Sequence, residues 1–252
     1  HQGGGALIAT AVHDGHSIRD ELMTHVGLAD ADRLREEDPF TAIWAAIAPT
    51  RVVATHSRFE VDLNRPRASA TYRQPEDCWG LELFKSAPPE EMFERSLARY
   101  DAFYRDMFEL LSDVAREHGR FIVYDLHSYN HRRQGPDGPA ADPEDNPQVN
   151  VGTASVDRDR WGGVVETFVS TLGGHDFVGG PLDVRENVKF QGGHWSRWIH
   201  QNFPTSGVAL AVEFKKFFMD EWSGVPDTAL VDAISDALRA TVAPVLAALE
   251  RA

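Results

Sequence analysis

Short apolar runs alternate with stretches of helical periodicity along the chain, the pattern of an α/β protein. Ala6–Val12 (ALIATAV) reads as a buried strand running into His13, and Arg51–Thr55 (RVVAT) as a second strand. Asp38–Ala48 has helical spacing in Phe40, Ile43, Trp44 and Ile47. From Glu90 to Glu117 apolar residues recur three or four apart, among them Phe93, Leu97, Tyr100, Tyr104, Met107, Leu111 and Val114, which predicts a long helix with one broad buried face. Gly119 stands where such a helix should end. Arg120–Leu126 (RFIVYDL) is the clearest strand and delivers His127. His131–Asn146 is rich in Pro, Gly and Asp, too polar to bury, and reads as a mobile surface loop placed where a lid or a plain insertion would sit. A short strand at Val149–Gly152, a helix over Arg160–Leu172, a strand at Val208–Phe214 and an amphipathic helix over Asp227–Glu250 complete the pattern. No linker divides it, so the 252 residues are expected to form one domain, with the opening His1–Gly5 set aside as a processing remnant or tag.

Composition narrows the function. The net charge of −14 lacks the basic footprint of a nucleic-acid binder. No run approaches the roughly 20 apolar residues of a membrane helix. The single cysteine, Cys78, excludes an internal disulfide and fits a reducing, cytoplasmic setting; with no local base it reads as structural.

Polar residues directly after buried strands mark the edge where α/β sheets place ligands. His13-Asp14-Gly15-His16 puts two imidazoles three residues apart on a turn, able to face one metal ion, with Asp14 as an alternative to His16. A His-x-x-His pair is weak evidence alone; His127 at another strand end supplies the third ligand of a catalytic zinc site. Arg58 and Arg65 can fork onto a substrate carboxylate with Asn64 as a further donor, and Asp62 can accept from the far nitrogen of a metal-bound histidine; a surface ion-pair cluster is the plainer reading. Glu213, inside the apolar run Val208–Phe214, needs a partner or a job: either an ion pair with Lys215, on its own side of the strand, or general-base work beside the metal. Gly192-Gly193-His194 with Arg197 forms a glycine-permitted turn able to line a pocket. His25, His118 and His200 read as surface residues.

These pieces together resemble the N-formylglutamate amidohydrolase family. The resemblance rests on Val12–Gly15, SRFEVDLNRP at Ser57–Pro66, DLHS at Asp125–Ser128, KFQGGHWSR at Lys189–Arg197 and LAVEFKKFFMDE at Leu210–Glu221, in order along nearly the whole chain. That family is in turn similar to zinc carboxypeptidases, whose ordered motifs correspond to His13-x-x-His16, Asp62-x-Asn64-Arg65, His127-Ser128-Tyr129 and Glu213. The resemblance implies a central mixed sheet flanked by helices, a single zinc ion, Glu213 activating water, and Asn64 and Arg65 gripping a carboxylate with Arg58 beside them. The expected partner is a small acidic N-acyl amino acid such as N-formylglutamate. His194 and Arg197 are expected to assist at the reacting carbonyl. Two departures stand out: the family commonly has Ser where this chain has Asp14, and His16 replaces the carboxypeptidase Glu. The rival enzyme is a zinc carboxypeptidase or peptide amidase, and the rival of another class a non-catalytic sensor of acidic metabolites.

Overall fold

The computed structural model describes residues 4–252; the first three residues of the segment set aside above lie outside the described residues. The strongest sequence signal, the apolar run before His127, becomes β3 (Phe121–Tyr129), buried along its whole length. It pairs in parallel with β1 (Leu7–Ala11) on one side and β6 (Gly207–Lys215) on the other. β2 (Thr50–Val53) joins β1 in parallel, while β4 (Val149–Gly152) runs antiparallel to β6 and carries β5 (Val184–Glu186) at the edge. The result is one mixed six-stranded sheet in the order β2-β1-β3-β6-β4-β5.

Alternation along the strands sends side chains to two helical layers. Leu7, Ala9, Ile122, Tyr124, Leu126, Val208, Leu210 and Val212 pack against α3 (Thr41–Ala45), α5 (Arg158–Gly173) and α7 (Thr228–Arg251). Ile8, Val12, Phe121, Val123 and Ala209 meet α4 (Glu90–His118) and α6 (His194–Asn202). Helix α4 buries Phe93, Tyr100, Tyr104, Met107, Leu111 and Val114, carries Glu90 and Glu91 at its start and Arg116 and His118 at its end, and stops at Gly119 with φ +75°. Asp157 and Asp227 cap α5 and α7 through their side-chain oxygens.

Three readings change, and two short helices appear where the sequence pattern was silent. The helix expected over Asp38–Ala48 is confined to Thr41–Ala45. Pro39 disfavours a helical Asp38, and Phe40 takes a left-handed backbone with φ +74°. The GGHWSR stretch is not a turn throughout: His194 opens α6, whose Trp195 and Ile199 are buried. Short α1 (Asp20–Met23) and α2 (Asp30–Glu36) precede Asp38. His200 is no surface residue: its Nε2 accepts from the Ala209 amide at 2.9 Å and its Nδ1 pairs with Ser155 Oγ at 2.8 Å. The 131–146 segment is mostly exposed, tied at its start to Glu221, which accepts from the amides of His131 (2.7 Å) and Arg132 (2.9 Å).

Candidate metal centre

β1, β3 and β6 are parallel, so their carboxyl ends deliver His13, His127 and Glu213 to one edge of the sheet. His127 and Glu213 stand opposite each other in register. On the α4/α6 side of β3, Asp125 and His127 replace the apolar residues that precede them, and the polar chain continues inward. Trp195 Nε1 donates to Thr10 Oγ1 (3.2 Å), which donates to Asp125 Oδ1 (3.0 Å).

Both imidazoles are buried and held at their Nε2 edge by carboxylates. Asp62 Oδ1 lies 2.7 Å from His13 Nε2, and Asp125 Oδ1 lies 3.0 Å from His127 Nε2. These contacts occupy each Nε2 and turn each Nδ1 towards Asp38. The two Nδ1 atoms converge on Asp38 Oδ2, at 3.3 Å from His13 and 2.9 Å from His127, and one ligand atom from each of the three residues lies within 4.8 Å of the others. His13 Nδ1 is buried without a hydrogen-bond partner. An orphaned imidazole nitrogen, a second imidazole and a carboxylate, with both outer nitrogens backed by acids, are a donor set that fits a divalent metal ion.

His16 is not in this group. Its Nδ1 bonds the buried carboxylate of Glu37 and its Nε2 lies 3.0 Å from Asp30 Oδ1. Ser57 also bonds Glu37, and Arg33 lies 3.7 Å from it. His16 therefore anchors the residue next to Asp38 rather than joining Asp38 at the centre. The turn is tight because Gly15 passes over the strand that follows: a Cβ there would meet Thr55 and His56 backbone at 2.5 Å. Asp14, the alternative ligand, instead accepts from the Ala42 amide at 2.9 Å at the start of α3.

Asp62 is a hub. Besides His13 it binds Arg58 (2.9 Å), the Asn64 amide (2.9 Å) and the Tyr72 hydroxyl, with Arg65 3.5 Å away. Burial opposes its charge, but Arg58 and His13 hold its carboxyl well below the usual range. The outcome for Glu213 is the reverse: half-buried at the cleft floor, it is pushed up to about 7, by burial first and then by Asp38 and Asp125, against the pull of His127. Neither lysine beside it is its partner. Lys215 Nζ donates to Asn146 O (2.8 Å), and Lys216 Nζ to Arg35 O (2.6 Å) and Glu37 O (2.7 Å).

The cleft above these residues measures about 370 Å³ and includes His13, Asp38, His127 and Glu213 in its walls. Arg58, Asn64 and Trp79 line it too, as do Arg133, Lys189 and Lys216. Asn64 is fixed by the Trp195 amide, which donates to its Oδ1 at 2.9 Å, while its Nδ2 reaches to 3.4 Å from His127 Nε2. Gly193 allows this approach, since a Cβ there would fall 2.1 Å from Asn64 Oδ1. Arg65, His194 and Arg197 are not brought to the cleft wall. Arg65 lies over the Tyr72 ring, His194 packs on Tyr104, and the exposed Arg197 donates to Gly192 O at 3.3 Å.

Asp38, Asp125, Arg133 and Lys189 are the site residues that motif reading passed over. A signal for Asp38 was present: Pro39 makes the preceding residue extended, which marks an acidic residue held out of the helix that follows.

The arrangement defines an α/β protein with a buried His/Asp/His centre and a general-base candidate at the carboxyl edge of a mixed sheet. A family model for N-formylglutamate amidohydrolase matches residues 5–218, and the chain belongs to that family of hydrolases. It is similar in structure to N-formylglutamate amidohydrolase from Ralstonia eutropha, with a TM-score of 0.71 and 17% identity over 98% of this chain and 94% of that one. It is also similar to an Agrobacterium tumefaciens gene product, with a TM-score of 0.60 and 16% identity over 93% of this chain and 90% of the other. At these identities the likeness establishes the mixed-sheet fold. No curated protein sequence matches the chain.

Proposed function

We propose that this protein hydrolyses the N-formyl or N-acyl amide of an acidic amino acid, such as N-formylglutamate, with a zinc ion held by His13, Asp38 and His127. The observation that carries the reading is the convergence of both Nδ1 atoms on Asp38, beside Glu213 at the foot of a cationic cleft. Family membership supports the amide chemistry. A divalent ion in that centre supplies Lewis-acid polarisation of the scissile carbonyl and acidifies water.

The chain's own groups do the rest. Glu213, poised near neutrality, takes the proton of the attacking water and passes it to the leaving nitrogen. Asp62 and Asp125 keep the two imidazoles in the tautomer that presents Nδ1. Arg58 and Asn64 face the cleft and take the α-carboxylate, which sets the amide over the centre. Arg65 backs Asp62 from outside the cleft.

Metal analysis of the purified wild type and of His127→Ala, with N-formylglutamate hydrolysis assayed on the same samples, tests the reading. About one zinc per chain, lost with activity in the variant, supports it. Failure to bind zinc after reconstitution, or turnover that persists without metal, overturns it.

A further inference from the structure

The floor of the cleft accounts for an amide and one carboxylate, yet two more cations reach its wall from loops distant in sequence. Arg133 comes from the segment after β3 and Lys189 from the segment after β5, and both are exposed. Each is set by buried anchors. Asn150, fully buried in β4, accepts from the amides of Lys189 (2.8 Å) and Phe190 (3.3 Å) and donates to Phe190 O (2.8 Å). Arg133 meets buried Glu36 through two contacts of 3.2 Å.

Neither cation is saturated. Among the described residues, the Lys189 ammonium has one hydrogen-bond partner, the neutral amide oxygen of Asn146 (2.5 Å), and lies over the rings of Tyr129 and Phe190 at 5.4 and 5.9 Å. Glu36 is shared, because Arg35 also holds it at 2.9 Å. Arg133 lies close enough to Lys189 to push its ammonium below the usual range, in addition to the larger effect of burial, while Asp145 opposes them. Two like charges held near each other at a cleft wall, in a chain of net charge −14, are stabilised by an anion between them. Arg58 does not serve that second anion: it stands at the cleft floor beside Asp62 and Asn64, where the α-carboxylate is placed.

We propose that Arg133 and Lys189 form the specificity subsite for a second negative charge on the substrate, the side-chain carboxylate of the acylated amino acid. The assignment rests on the hydrolase reading above. It makes the enzyme selective for acidic over neutral side chains of the same length, because a neutral side chain offers the two cations no charge to hold.

The test compares N-formylglutamate with N-formylglutamine in the zinc-loaded wild type, Arg133→Ala, Lys189→Ala and the double variant, with melting temperatures alongside. Each single change should lower kcat/KM for N-formylglutamate by roughly 10-fold or more, the scale of one hydrogen bond to a charged group. The change for N-formylglutamine should stay within about 3-fold, so that the double variant loses the preference. Lys189→Arg should retain it. Equal losses on both substrates, or no loss on either, would overturn the subsite while leaving the hydrolase reading intact. A wild type that hydrolyses neither compound would remove the hydrolase reading and this assignment with it.

Discussion

Replacing Asp38 by Ala, beside His16→Ala, separates the donor set proposed from the structure from the one that the His-x-x-His spacing suggests. Asp38 Oδ2 lies within 3.3 Å of both Nδ1 atoms, whereas both nitrogens of His16 are engaged by Glu37 and Asp30. Zinc binding by a full set of four protein ligands is worth on the order of 10–16 kcal/mol. One ligand therefore contributes about 3 kcal/mol, or roughly two decades in Kd. Asp38→Ala should weaken zinc binding by about 100-fold or more, because two imidazoles remain. His16→Ala removes no ligand and disturbs only Glu37, the neighbour of Asp38. Its effect on zinc should stay near the lower end of outer-shell changes, about 10-fold. It should instead lower stability by about 1–3 kcal/mol, since Glu37 is left buried with Ser57 and a distant Arg33. Competition titrations with a chelator of known affinity give the zinc constants, and urea unfolding of the metal-free proteins gives the stabilities. Near-normal zinc affinity in Asp38→Ala, with its loss in His16→Ala, would refute the reasoning and restore the spacing-based centre.

Three further outcomes follow from single contacts. Glu213→Gln should keep zinc but lower kcat by about 10²–10⁴-fold, the usual scale of general-base catalysis, as measured in a steady-state formate-release assay. Gly193→Ala should drive a Cβ into Asn64, 2.1–2.4 Å away, and lower stability by about 1–3 kcal/mol while raising KM; an unchanged KM would free Asn64 from substrate binding. Burial lowers the pKa of His200 from 6.5 to about 4, so the folded state favours the neutral ring. Below 6.5 the unfolded chain takes up a proton that the folded chain refuses, and stability should fall between pH 6.5 and 4 by roughly 3 kcal/mol at about 1.4 kcal/mol per pH unit. Urea midpoints across that range should show the slope, and His200→Gln should flatten it.

Strands that run uninterrupted into a polar residue were legible in the sequence. β1, β3 and β6 appear as apolar runs ending at His13, near His127 and around Glu213, and β4 at Val149–Gly152 has the same bounds in both readings. Helix α4 was equally plain, because its buried face repeats from Phe93 to Val114, roughly six turns. What escaped depends on partners far away in sequence. β5 is three half-buried residues, Val-Arg-Glu, with no alternation to detect. Helix α6 opens on Gly193 without a side-chain cap, so its start resembles a turn. His200 looks like any polar residue on a helix until Ala209 and Ser155 close around it. Asp38 was hidden by the apolar spacing of Phe40–Ile47, which outweighed the proline beside it.

The charges around the centre explain why its members are so scattered. Asp38, Asp62 and Asp125 are all buried, with Glu213 half-buried beside them, and such groups are costly to desolvate without compensation. Each carboxylate is offset differently. Asp62 has Arg58 and, further off, Arg65; Asp125 has the far nitrogen of His127; Glu213 shifts towards its protonated form. Asp38 has the two imidazole edges, which are also the atoms a metal would take, and a longer contact from Ser128 Oγ at 3.4 Å. A divalent cation there would satisfy Asp38 and the orphaned His13 nitrogen together, and it would favour the ionised Glu213 that a base requires. The arginines that support Asp62 and the cations that line the cleft thus overlap only in Arg58. Arg65 serves the first from behind, while Arg133, held by Glu36, and Lys189, held by Asn146, belong to the second. A motif that places Arg beside Asn cannot distinguish those two duties, because both need the same charge and differ only in which carboxylate the fold sets against it.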